Sequence, residues 1–247
     1  MVPSAFPFLS DTAMILAAGF GMRMRPLTNT TPKPLLSVGG RSMLDLAIDK
    51  LKAFGLRRVV VNGHYLADQI EHHLTARTDI ETIFSREDAI LDTGGGVKKA
   101  LPFFGGKPFF VLGGDMPVLD GPDPTLIRMA RAWDSAKMDG LMLLFPTSKA
   151  RGFDKAKGDF VMEQNGKLWR KNAPLPRPYV WISTMILNPS VYDESLPQAF
   201  SNNVIFDRME QSGRFYGIEH NGTCYHVGTP EDLKEANRLL DTNTGWE

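Results

Sequence analysis

Short apolar runs alternate along the chain with stretches in which apolar residues recur every three or four positions. This rhythm predicts strands alternating with amphipathic helices. Ala13-Met14-Ile15-Leu16-Ala17 is an apolar run that stops at Gly19, the form of a strand buried on both faces and entering a loop. Leu44, Ala47, Ile48, Leu51 and Phe54 follow at helical spacing, with Gly55 placed for a C-cap. Arg58-Val59-Val60-Val61-Asn62 is β-branched and reads as the next strand. Leu66, Ile70 and His73 or Leu74 mark one face of a second helix, residues 81–85 a third strand, and Val97, Ala100, Leu101 and Phe104 a third helix. Residues 109–112 form another buried strand, running into Gly113-Gly114-Asp115.

That βαβαβαβ order needs crossover connections, so it implies a parallel sheet with helices on both faces. Such sheets bind ligands beyond the carboxyl ends of their strands, and Gly19, Asn62, Thr93 and Asp115 all fall near that edge. From about residue 122 the pattern changes. A helix over 124–135 and a strand over 141–145 continue the sheet, whereas residues 147–178 are rich in Lys, Gly and Pro, with a hairpin expected at Asn165-Gly166. A strand over 179–187, a helix over 204–209 and two short strands within 214–227 come next. Thr229-Pro230-Glu231-Asp232 opens a last helix, with Thr at the N-cap, Pro in the first helical position and acids in the first turn.

Composition narrows the function. Among 247 residues, Lys+Arg and Asp+Glu both number 28, and zero formal charge argues against a nucleic-acid coat or a basic membrane-surface protein. The apolar runs are far shorter than the ~20 residues that span a bilayer. No basic residue precedes Phe6, Phe8 and Leu9, as a secretory signal would require, so residues 1–12 read as a short tail of a cytoplasmic protein, in preference to a packing or oligomer contact. The single cysteine, Cys224, excludes an intramolecular disulfide and a multi-cysteine zinc cage. His64, His72 and His73 have no metal-ligand spacing, and the methionines, Met14, Met22 and Met24 among them, read as core filler.

Three stretches carry candidate chemistry. Leu16-Ala17-Ala18-Gly19-Phe20-Gly21-Met22-Arg23 lacks the third glycine and immediate helix of a dinucleotide fingerprint, and prolines 26, 32 and 34 follow. This excludes a dinucleotide-fold oxidoreductase. No acid occurs between Asp11 and Asp45, whereas Arg23, Arg25, Lys33 and Arg41 lie inside that interval. A basic, acid-free loop beside glycine amides makes a phosphate site, in preference to a merely solvated loop. Asp92-Thr93-Gly94-Gly95-Gly96 either lets backbone approach a flat ring or sugar, or is a flexible turn. Asp115, just past a buried strand, is placed either to hold a hard divalent cation or to act as an N-cap.

Leu16-Ala-Ala-Gly-x-Gly-x-Arg-Met-Arg-Pro-Leu-Thr28, Pro32-Lys33-Pro34-Leu35 and Gly114-Asp115 together resemble the sugar-1-phosphate nucleotidyltransferase family. Asp92-Thr-Gly-Gly-Gly resembles in particular its uridylyltransferase branch of bacterial cell-wall recycling, although that branch usually has Glu at the first position. No hexapeptide repeat suggests the left-handed β-helix appended in some other branches. The resemblance implies a three-layer, Rossmann-like fold of glycosyltransferase-A type. Its central sheet would be mixed but mainly parallel, with a small β-rich region on the sugar side. Residues 13–121 would form the nucleotide-binding half and 122–247 the sugar-phosphate half of one compact domain.

The implied reaction moves UMP from UTP to a sugar 1-phosphate, N-acetylmuramic acid 1-phosphate foremost, and releases pyrophosphate. Arg23 would hold the triphosphate, Lys33 would reach the reacting phosphates and Asp115 would bind Mg²⁺. Leu16, Ala17, Ala18, Gly19, Gly21, Met22, Arg23, Asn62, Thr93 and Gly94 would line the nucleotide pocket, and Asp159 and Trp181 either line the sugar pocket or are structural strand residues. Such chemistry asks for charge neutralisation and alignment of two polyanions more than for acid–base groups. One departure concerns the metal. The family usually has Asp before Val-Gly-Thr near the end as a second ligand, and here His226 stands in that place. Imidazole suits softer ions than Mg²⁺, so His226 binds through water, shifts preference toward Mn²⁺, leaves a weak site, or is simply a packed side chain. Two alternatives stay open: a guanylyl- or thymidylyltransferase acting on a mannose, glucose or heptose 1-phosphate, and a nucleotide-binding sensor with little turnover. A monomer or small homo-oligomer is expected.

Overall fold

The computed structural model describes residues 5–151, 158–171 and 173–242. Part of the expected tail and part of the Lys/Gly/Pro-rich stretch therefore lie outside the described residues. Seven strands form the central sheet: β1 Thr12–Leu16, β2 Arg58–Gly63, β3 Glu81–Arg86, β4 Phe109–Gly113, β5 Gly140–Pro146, β6 Tyr179–Leu187 and β7 Phe215–Glu219. The helices are α1 Met43–Phe54, α2 Ala67–Thr75, α3 Asp92–Ala100, α4 Thr125–Ala132, α5 Asn203–Gln211 and α6 Pro230–Thr242. In space the strands run β7-β5-β6-β4-β1-β2-β3. Neighbours are parallel except around β6, which is antiparallel to both β4 and β5. The sheet is thus mixed and mainly parallel, as the family resemblance implied.

Successive residues of a strand face opposite sides, and β1 uses both. Ala13 and Ile15 join the layer built by Leu44, Ile48 and Leu51 of α1, Ile70 of α2 and Met129 of α4. Met14 joins the opposite layer, with Val97 of α3 and Ile205, Phe206 and Met209 of α5. Burying each such side chain contributes roughly 1.5–3 kcal/mol, which is why β1 carries no polar residue between Thr12 and Leu16. Local signals end the helices where expected. Ser42 caps α1 by accepting from the Asp45 N–H, and Gly55 terminates it at φ +98°. The segment ahead of β1, read as a tail, instead packs on this layer, with Leu9 in the cluster and the Phe6 ring stacked on Phe54 at 5.9 Å.

A third, smaller cluster joins distant parts of the chain. Met24, Val38 and Met43 pack against Val227 and against Ala236 and Leu240 of α6. Asn237 reinforces the contact, its amide donating to the Ser37 carbonyl (3.2 Å) and its oxygen accepting from the Gly39 N–H (2.8 Å). The Asn165-Gly166 hairpin forms between Val161–Met162 and Leu168–Trp169, with Gly166 at φ +86°. Among the described residues, no helix is long and apolar enough to cross a membrane.

Candidate active site

The glycine loop leaves β1 under tight local control. The Ala17 N–H donates to Asn62 Oδ1 (2.7 Å), which ties the loop to the end of β2. Gly21 takes φ +61°, and a Cβ there would stand 3.0 Å from Thr28 Cγ2 and 3.1 Å from Lys33 Cβ. Thr28 Oγ1 donates to the Gly21 carbonyl at 2.8 Å. The loop therefore folds back on residues 28–33 and carries Arg23 in a single turn, Met22–Met24, anchored by the buried Met24. Gly19 differs: a Cβ on it would meet nothing within 4 Å, so it faces open space.

From the other side come Lys33 and Asp115. Gly114 donates its N–H to the Leu16 carbonyl (2.9 Å), holding the chain after β4 against β1. Lys33 Nζ donates to Asp115 Oδ2 at 2.7 Å. Leu16, Ala17, Ala18, Gly19, Gly21, Met22, Arg23, Asn62 and Thr93 line one cleft of about 400 Å³ with Lys33, Asp115 and Trp181. Gly228, two positions after His226, borders the same cleft.

Gly94 lies elsewhere. The three glycines form the first turn of α3 instead of a loop ahead of it. The Gly94 N–H donates to the Phe200 carbonyl, and a Cβ there would stand 2.4 Å from the Phe200 ring. At Gly96 a Cβ would stand 2.7 Å from Asn62 Nδ2. Close approach is what these glycines permit, as expected, but the surfaces approached belong to the protein. Asp159 also stands back from the cleft wall, with Oδ2 accepting the Trp181 N–H at 2.9 Å. Burial pushes its carboxyl above the ordinary range, against the pull of that hydrogen bond and of Arg177 and Arg170. Trp181 packs edge-on to Phe206 and donates from Nε1 to the Thr184 carbonyl, so its ring is fixed where it meets the cleft.

His226 sits behind Gly228. A Cβ on Gly228 would lie 2.9 Å from His226 Nε2 and 3.3 Å from an Arg23 guanidinium nitrogen. Burial pushes the imidazole down, and Lys33 and Arg23 push the same way, against Asp115 and Asp232. Among the described residues, no three His, Cys, Asp or Glu side chains converge as a ready metal cage.

Two residues of the site are not apparent from the sequence. Glu87, only 3% exposed, accepts from Asn62 Nδ2 (2.7 Å) and from the Leu91 N–H (3.0 Å), and its backbone oxygen accepts from His64 Nδ1 (2.8 Å). It fixes which way the Asn62 amide points, and hence which face meets Ala17. Its position just past the carboxyl end of β3 is the signal that could have found it. Ser183, on the cleft wall, is one of three non-glycine residues with positive φ among those described, and Asp92, also on the wall, is another. Strain of this kind gathers at functional sites.

A model for nucleotidyl transferases matches residues 12–166, well over half the chain. The chain belongs to the nucleotidyl transferase family. It is 47% identical over 232 residues to an N-acetylmuramate α-1-phosphate uridylyltransferase of Neisseria meningitidis serogroup B, covering 92% of this chain and 97% of that protein. A protein of the same description from Caulobacter vibrioides is 35% identical over 233 residues, covering 92% and 96%. Among solved structures, HddC from Yersinia pseudotuberculosis complexed with GMP-PN superposes with a TM-score of 0.72 at 20% identity, covering 93% and 99%. That likeness carries the fold. As a nucleotidyl transferase, the chain bears out the resemblance read from residues 16–28, 32–35 and 114–115.

Proposed function

We propose that this nucleotidyl transferase moves UMP from UTP to N-acetylmuramate α-1-phosphate, giving a UDP-sugar and pyrophosphate in peptidoglycan recycling. The observation that carries the reading is the convergence of Arg23, Lys33 and Asp115 on one cleft that Gly19 also lines. A phosphate oxygen of the sugar 1-phosphate attacks the α-phosphorus of UTP. The bond from that phosphorus to the bridging oxygen breaks, and pyrophosphate leaves with the electron pair. Arg23 and Lys33 neutralise the triphosphate and the leaving group. The loop amides from Ala18 to Gly21 align it, because fixed donors stabilise developing charge without reorganising.

A divalent cation fits the donor set. Mg²⁺ commonly takes one or two carboxylates and completes its shell with substrate oxygens and water. Asp115, with a side chain 40% exposed, offers a carboxylate that reaches the cleft. It would hold the ion, with His226 near enough to tune the choice of metal, and the ion would add positive charge at the reacting phosphates. N-acetylmuramate also carries a carboxylate of its own. Arg177, whose charge acts on Asp159, is a cation toward which such a group would be drawn, whereas Arg170 is already paired with Asp207. UTP is an intracellular metabolite, so the reading places the protein in the cytoplasm.

Pyrophosphate release measured across the four common NTPs and a panel of sugar 1-phosphates tests this. UTP with N-acetylmuramate 1-phosphate should give the highest kcat/KM. Faster turnover of GTP or dTTP with a mannose, glucose or heptose 1-phosphate would overturn the assignment. Nucleotide binding with no pyrophosphate from any pair would point to a sensor.

A further inference from the structure

Strand β6 is irregular at one place. Trp181 opposes Leu144 of β5 and Met185 opposes Met142, so β6 bulges between them. Ser183, inside the bulge, takes φ +52°, a left-handed conformation that glycine adopts freely and other residues adopt at an energetic cost. The bulge is held from both sides: the Trp181 indole donates to the Thr184 carbonyl at 3.1 Å, and Thr184 stays in register with Leu112 of β4.

The distortion turns the Ser183 side chain toward the cleft. A Cβ on Gly113 would stand 2.8 Å from Ser183 Cβ, 3.2 Å from Ser183 Oγ and 3.1 Å from Asp115 Oδ1. The hydroxyl and the carboxylate thus flank one point above Gly113, and any larger residue there would fill it. Among the described residues Ser183 Oγ has no hydrogen-bond partner, so the strain is not offset by a bond within the protein. The hydroxyl lies on the cleft wall beside Gly113 and Asp115, and Gly113 in turn pairs with Leu16, where the Ala17–Arg23 loop begins. A strained backbone that aims an unused donor into a reaction cleft is the pattern expected where the substrate supplies the missing partner.

We propose that Ser183 is an acceptor-positioning residue, whose hydroxyl donates a hydrogen bond to the phosphate of the sugar 1-phosphate beside Asp115. The assignment rests on the two-substrate reaction proposed above, but not on which base or sugar is used. It adds to Lys33 and Asp115 a neutral donor that aligns the attacking phosphate and contributes nothing to holding the triphosphate.

The test compares Ser183→Ala and Ser183→Gly with the wild type, on whichever NTP and sugar 1-phosphate the wild type turns over best. Both variants lose the hydroxyl, and only glycine relieves the strain. Both should raise KM for the sugar 1-phosphate about tenfold or more, with KM for the NTP within about twofold of wild type. Ser183→Gly should melt above Ser183→Ala. Unchanged acceptor KM in Ser183→Ala would overturn the proposal, as would an effect confined to Ser183→Gly, or an equal rise in nucleotide KM. A wild type that prefers another substrate pair would instead refute the uridylyl and muramate assignment, and the Ser183 comparison would be decided on that pair.

Discussion

Lys33 Nζ and Asp115 Oδ2 lie 2.7 Å apart although 82 residues separate them in the chain. Their environments differ: the lysine side chain is 9% exposed and the aspartate 40%. Removing one partner of a pair harms stability chiefly through the charge left buried. Asp115→Asn strands the buried ammonium, whereas Lys33→Met leaves a carboxylate that water can reach. Asp115→Asn should therefore have the lower Tm, while both variants lose roughly two to three orders of magnitude in kcat. Equal melting temperatures would contradict the asymmetry. Near-normal turnover in either variant would remove that residue from the reaction.

The two loop glycines should respond oppositely to a methyl group. Gly21→Ala forces a side chain into φ +61° against Thr28 and Lys33, and should destabilise the fold by about 1 kcal/mol or more. Gly19→Ala meets no protein atom. It should fold as the wild type does and bind nucleotide at least several-fold more weakly, because its methyl group occupies ligand space. Thermal unfolding alongside UTP titration separates the two outcomes. Wild-type affinity in Gly19→Ala would mean that nucleotide does not approach this part of the loop.

Asp159 gives a small pH dependence: the residue is exposed overall, and partial desolvation of its carboxyl sets the sign. Its carboxyl titrates above the usual 3.8 in the folded state, so folding favours the protonated form. Stability from this group is complete below the unfolded pKa and falls as pH rises through the raised folded value. Asp159→Asn keeps an oxygen for the Trp181 N–H but has no charge to desolvate. Denaturation from pH 3 to 7 should show the variant gaining on the wild type as pH rises. A constant difference would contradict the shift.

His226 is the departure with the clearest chemical consequence. Mg²⁺ prefers oxygen and imidazole suits later divalent ions. Exchange of His226 for Asp should raise the ratio of Mg²⁺- to Mn²⁺-supported turnover, and His226→Ala should lower the rate with both. A metal ratio identical in all three proteins would leave His226 as packing beside Arg23.

Much of this was legible in the sequence because the signals are local. The β-branched run at 58–62, the Gly55 terminus of α1, the Asn165-Gly166 turn and the acidic first turn of α6 each state their own conformation. The acid-free interval from Asp11 to Asp45 pointed to the cleft for a similar reason, since charge sign can be read without a fold. What escaped depends on pairing across the chain. Nothing local tells that β6 inserts antiparallel between β4 and β5, or that Gly94 packs against Phe200. Ser183 lies within a strand-like run, Val180 to Leu187, where a single serine reads as ordinary strand. Its left-handed backbone lies inside a bulge between Trp181 and Met185, each held in register by β5.

The third hydrophobic cluster has a consequence for how the chain matures. Met24, which anchors the turn carrying Arg23, rests on Val227, Ala236 and Leu240, and Asn237 clasps Ser37 from 200 residues further along. At roughly 5–20 residues per second, a ribosome finishes the loop some ten to forty seconds before it supplies the helix beneath it. A nascent chain arrested before that helix would hold Arg23 on an unfloored turn, so capture of nucleotide should begin only once residues 230–242 have been made.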